Sequence, residues 1–196
     1  MSPSNKRNAG HCVFQRLLNR AKRRGEDFNF VLLRYGAERL LYRLSVSPYA
    51  GEFILKGAGL FLVWKGQTYR VTKDTDLLGF RPADTGRISA VFKEVCRISC
   101  EEDGMMFMPE TVRAIPIRGE QEYDGIRVKL TGMLHHARIP LRVDIGFGDV
   151  VTPTPERVKY PTPMDATAPR LRPIPDIRWW PKSPRPWSDS AWQIAE

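Results

Sequence analysis

The chain has 196 residues, is 42% hydrophobic and carries 31 Lys and Arg against 22 Asp and Glu, a net charge of +9. That length and balance give one globular domain with room for an appendage, and exclude a fibrous or wholly disordered protein. The positive charge points to an anionic partner, with nucleic acid the first candidate.

Three cysteines, Cys12, Cys96 and Cys100, are too few and odd in number for a disulfide framework and fit a reducing cytoplasm. Cys96 and Cys100 lie four apart on an expected helix and read as packing residues, since no second Cys/His pair offers zinc spacing. His135 and His136 are adjacent, and their rings are expected to diverge. No stretch has the length of a membrane span, and charges stand where a signal peptide needs an apolar core. A cytoplasmic protein without membrane contact is therefore expected.

Taken in order, residues 1–10 are polar and expected to be loose and flexible. Residues 11–24 form a basic amphipathic helix, with Val13, Leu17, Leu18 and Ala21 as its apolar stripe and Arg16, Arg20, Arg23 and Arg24 around it. Ten Lys and Arg against three acids in residues 1–45 concentrate the surplus charge there, as a solvated helix face or an RNA-binding one. A second helix runs from about Asp27 to Leu44, stopped by Ser45-Val46-Ser47-Pro48.

Phe53-Ile54-Leu55-Lys56 reads as a short buried strand, and Gly57-Ala58-Gly59 as a turn into a short helix ending near Trp64. Such a turn presents backbone N–H groups and a helix N-terminus, a natural place for phosphate. It is equally what a plain strand-to-helix connection shows. Asp74-Thr75-Asp76 then leads into the apolar run Leu77-Leu78. On a strand, Asp74 and Asp76 project from one face, and two such carboxylates suit a hard divalent cation between them. Alone, the pair is also what a solvated turn shows.

Residues 84–99 have helical spacing in Ile88, Val91, Phe92 and Val95, with Asp84 or Thr85 as cap. Strands are expected at 105–108 and 111–117. Residues 126–131 alternate strictly, Ile126, Val128 and Leu130 against Arg127, Lys129 and Thr131. Residues 141–146 alternate again, with Asp144 on the polar side, where strands disfavour Asp. From residue 152 onward the last 45 residues hold ten of the sixteen prolines and four of the five tryptophans, which predicts an extended irregular tail.

Together these parts describe a nucleotidyl-transfer site. Asp74, Asp76 and Asp144 on neighbouring strands can hold two Mg²⁺ ions, which stabilise the attacking and leaving oxygens of an in-line phosphoryl displacement. The order Gly57-Ala58, Asp74-Thr75-Asp76 and Asp144 resembles the nucleotidyltransferase superfamily. The longer wordings at 38–44, 53–58, 70–77 and 143–149 resemble the AbiEii-type toxin family of type IV toxin–antitoxin systems, from about residue 12 to 175.

The resemblance implies an α/β (α+β) fold with a small mixed sheet flanked by helices, over residues 11–150, with the tail at 151–196. It implies an NTP with Mg²⁺ as donor, RNA and in particular the tRNA 3′ end as acceptor, a cognate antitoxin, and a role in bacterial phage defence. By the same resemblance Asp74, Asp76 and Asp144 ligate metal and Asp144 helps deprotonate the acceptor. Lys56, Gly57, Ala58, Arg127 and Lys129 bind the nucleotide.

The sequence departs from the family at its Gly-Ala-Gly turn, which lacks a Ser or second Gly at the second place, and after about Pro175. Suitable codons for Asp176 to Lys182, read from a shifted frame, give Tyr-Thr-Val-Val-Ala-Glu-Lys, the wording the family has there. The tail beyond about 175 is therefore expected to be an out-of-frame reading of a truncated member. An inactive remnant that binds RNA or an antitoxin is the alternative, and a metal-dependent nuclease a third.

Overall fold

The structure is a computed structural model that describes residues 3–57, 60, 74–82, 84–117, 125–148, 158–162 and 167–173. Helix α1 runs over Pro3–Arg24 and α2 over Phe28–Val46. The expectation of a loose start is corrected from Pro3 onward: α1 begins there, proline being at home in a first helical turn because its missing N–H has no partner to lose. Asp27 caps α2, accepting a hydrogen bond from Phe30 N at 2.8 Å, and Ser47 closes its other end. Val13, Leu17 and Ala21 are buried as expected, and Leu18 is half-buried.

Five strands make one sheet in the order β1-β2-β5-β4-β3. They are β1 (Phe53–Lys56), β2 (Asp74–Gly79), β3 (Met105–Ile117), β4 (Gly125–Leu134) and β5 (Ala137–Phe147). Only β2 and β5 are parallel; β1–β2, β3–β4 and β4–β5 are antiparallel. This is the small mixed sheet that the family resemblance implies. The two strands expected at 105–117 are one strand, and its pairing with β4 shifts register between Met108 and Arg113, which accommodates Pro109.

Helix α3 (Thr85–Arg97) lies between β2 and β3, capped by Asp84 on Arg87 N. Ile88, Val91, Phe92 and Val95 are all buried, and Phe92 meets Phe53 edge to face. The helix ends at Arg97, so Cys100 is off it and does not share a helical face with Cys96. Burial pushes the Cys96 thiol up to about 12, which suits a packing residue and not a thiolate ligand. No helix among the described residues is long and apolar enough to cross a membrane.

The sheet has two unlike faces. Leu55, Leu77, Val143, Ile145, Val128 and Ile126 point to the helices and are at most 2% exposed. Burying side chains of this size contributes about 1.5–3 kcal/mol each. The other face carries the polar alternates, described below.

Within the expected tail, β6 (Val158–Lys159) pairs with β7 (Arg170–Leu171), and Tyr160 and Leu171 join the same core. Leu55 N donates to Arg172 O at 2.8 Å, so this segment covers the open edge of β1. The remainder of the tail, and all of the short helix expected after Gly59 except Leu60, lie outside the described residues.

A buried ionic network fastens α2 to the far end of the sheet. Arg43 makes two bonds to Asp103, 2.7 and 3.1 Å, and reaches the carbonyls of Ile98, Met105 and Arg39. Tyr35 donates to Asp103 O at 2.8 Å. Arg39 pairs with Glu38 and donates to Thr167 O at 2.9 Å. Glu38, Arg39, Arg43 and Asp103 are each no more than 1% exposed.

Candidate active site

Strand register assembles the polar face. Lys56 pairs with Asp76, Asp76 with Asp144, and Asp144 with Arg127, so these four share one face in a row across four strands. The next row runs Asp74, Arg142, Lys129, Arg113. Asp74, Asp76 and Asp144, predicted to act together, therefore share one face of neighbouring strands, and each is half-buried.

Gly57 follows β1 with φ at +69°, a conformation that costs a side-chain-bearing residue about 1–2 kcal/mol. A Cβ at Gly57 would lie 2.1 Å from Asp76 Oδ2. Gly57 is thus pressed against the Asp76 carboxylate, and the glycine lies beside the acids as expected. Ala58 lies outside the described residues. Lys56 reaches across β2 toward β5: a Cβ at Gly146 would be 2.6 Å from its Nζ.

Two of the acids carry arginine partners. Arg127 grips Asp144 with both arms, Nε to Oδ1 at 2.8 Å and Nη2 to Oδ2 at 2.7 Å. That hydrogen-bonded carboxylate raises the Arg127 guanidinium further above its ordinary value, so the arginine keeps its charge. Arg142 Nη1 donates to Asp74 Oδ2 at 3.2 Å. Lys129, exposed, stands opposite Arg142 on β5 and Arg113 on β3. Arg142 is the residue that sequence reasoning missed, although alternation alone sets it on the face of Asp144, two positions on.

Among the described residues, no group of three or more His, Cys, Asp or Glu side chains is drawn together as a metal shell. The donor set nevertheless fits a hard divalent cation: three carboxylates on one face, two of them in register on adjacent strands. The guanidiniums now holding Asp144 and Asp74 are 33% and 43% exposed and can swing outward.

Away from the sheet face, His11, His135 and His136 meet where α1 crosses the β4–β5 turn. The expectation that His135 and His136 diverge is corrected, since their rings stand 4.5 Å apart. His135 takes a positive φ of 53° in the turn, and its Nε2 lies 3.5 Å from His11 Nδ1.

No curated protein matches the chain. A crystal structure of JHP933 from Helicobacter pylori is similar at 11% identity with a TM-score of 0.42, over 76% of this chain and 53% of that one. The chain thus spans about half of that protein's length, and at that score the likeness carries no argument about function. A family model described as the nucleotidyl transferase AbiEii toxin of type IV toxin–antitoxin systems matches residues 39–178. The match takes in well over half of the chain and all three aspartates, and the chain belongs to the AbiEii family of nucleotidyl transferase toxins.

Proposed function

We propose that this chain transfers a nucleotide from an NTP to the 3′ hydroxyl of an RNA, with tRNA as the acceptor, as the toxin of a bacterial toxin–antitoxin pair acting in the cytoplasm. The observation that carries the reading is the register of Asp76 with Asp144, with Gly57 pressed on Asp76. Two carboxylates side by side repel, and a phosphate-type turn beside them adds a place for the nucleotide that brings a cation.

Asp74, Asp76 and Asp144 would hold Mg²⁺, which when bound neutralises charge on the attacking and leaving oxygens. Asp144 accepts the proton of the RNA hydroxyl as its oxygen bonds to the α-phosphorus. The bond from that phosphorus to the bridging oxygen breaks, and pyrophosphate leaves. Gly57 offers its backbone N–H to the triphosphate, and Lys56, Arg127 and Lys129 neutralise its charge. The net charge of +9 favours the RNA encounter.

The grip of Arg127 on both oxygens of Asp144 favours one second reading, a catalytically inactive protein that binds RNA or an antitoxin. Incubation with Mg²⁺, each labelled NTP and total tRNA separates the two. Label appearing in RNA supports transfer. A folded protein that labels nothing with any NTP contradicts it and favours the inactive binder, and shortened RNA indicates a nuclease.

A further inference from the structure

On the candidate face, cations and anions are interleaved. Among the described residues, Lys56, Arg127 and Arg142 stand against Asp74, Asp76 and Asp144, while Lys129 and Arg113 add positive charge at one side. The bidentate Arg127–Asp144 pair uses the same oxygens that a divalent cation would take. The Arg142–Asp74 contact does so in the next row. Both pairs keep contact with water, their side chains between 21% and 43% exposed, so a cation from solvent can reach the oxygens they hold.

We propose that Arg127 and Arg142 are exchange partners: each holds a metal-ligating carboxylate until a divalent cation displaces it, then turns to the phosphates that arrive with that cation. The inference rests on the nucleotidyl-transfer reading of this face and deepens it. Each arginine has one chemistry available in two settings, since a guanidinium fork matches a carboxylate and a phosphate equally well. Before exchange, the pairs shield three neighbouring acids from one another. After exchange, the freed forks lie one strand away from the carboxylates and beside Lys129, a position from which they reach a bound triphosphate. Metal and triphosphate thereby assist each other: displacement of the arginines by metal frees the groups that bind phosphate, and phosphate that holds those arginines leaves the acids to the metal. Neither ligand alone receives the full benefit.

The test measures Mn²⁺ binding by paramagnetic resonance without nucleotide, and inorganic tripolyphosphate binding with Mg²⁺. The proteins are the wild type, Arg127→Ala, Arg142→Ala, Lys129→Ala and Asp76→Ala. The account expects each arginine variant to bind Mn²⁺ about two- to fivefold more tightly than wild type, because the competing pair is gone. The same variants lose about tenfold in tripolyphosphate affinity, because a charge-assisted contact is gone. Lys129→Ala removes an equal charge from the same face, from a side chain that holds none of the three aspartates. A gain in Mn²⁺ affinity there as large as in the arginine variants overturns the exchange in favour of through-space charge alone.

Unchanged or weaker Mn²⁺ binding in both arginine variants also overturns it while leaving the metal site standing. Wild type that binds no Mn²⁺ even with tripolyphosphate present, or then binds it no better than Asp76→Ala, overturns the nucleotidyl-transfer reading itself. Should an alanine variant not fold, Arg127→Lys and Arg142→Lys keep the charge and lose the fork. They are expected to bind Mn²⁺ more tightly than wild type by a smaller factor, and Mn²⁺ binding equal to wild type in both would contradict exchange.

Discussion

Gly57 and Asp76 are where a single atom decides the site. A methyl group at position 57 would overlap the Asp76 carboxylate and would sit on a backbone at φ +69°. Gly57→Ala is therefore expected to cost about 1–2 kcal/mol in urea unfolding and to reduce nucleotide transfer at least tenfold as Asp76 is pushed aside. Unchanged stability and transfer would mean that the turn relaxes freely. Glu38 makes a second prediction. Burial raises its carboxyl to about 7, with Arg39 opposing. The folded state then holds a proton that the unfolded chain gives up near 4.5, so its stabilising contribution is complete below about 4.5 and is lost as pH rises through about 7. Glu38→Gln should flatten the stability-versus-pH slope across that window, and an unaltered slope would assign it to other groups. At this scale the sequence was partly legible. Alternation located Asp74, Asp76 and Asp144, whereas Glu38 and Arg39 look like ordinary surface charges of a helix. Nothing local tells that Thr167, 128 positions further on, covers Arg39.

At the scale of elements, the strands that define the site have strict alternation, and this made β4 and β5 readable. Their order was not, because register is a property of pairs. Arg127 meets Asp144 only because β4 and β5 form a hairpin, and Arg142 meets Asp74 only because β2 inserts parallel to β5. Helix α1 starts at Pro3 although its first residues show no apolar stripe. His11 then packs against His135, a contact that no sequence period encodes. The element most dependent on one side chain is the turn at Glu101–Asp103, which Asp103 ties to α2 through Arg43. Asp103→Ala leaves the Arg43 guanidinium buried and without its carboxylate, with an expected loss of about 3–5 kcal/mol in denaturant unfolding. A loss below about 1 kcal/mol would show that water or Glu38 takes over.

For the whole molecule, one apolar face of the sheet carries the helices, and the opposite face arranges acids and bases in rows over four strands. The segment to Pro173 shields the β1 edge, so β1 does not stand open to another strand. Gly57 and the three aspartates come from segments up to 87 positions apart and meet through topology alone. The central claim is that Asp76 and Asp144 are the acidic core of a nucleotidyl transfer to RNA. It is tested most directly by following α-phosphate label from each NTP into tRNA with wild type and Asp76→Asn, both checked for equal thermal stability. The account predicts labelled RNA with wild type for at least one NTP and a loss of at least a thousandfold with Asp76→Asn, as expected when a catalytic charge centre is removed. Equal labelling by both proteins would contradict it.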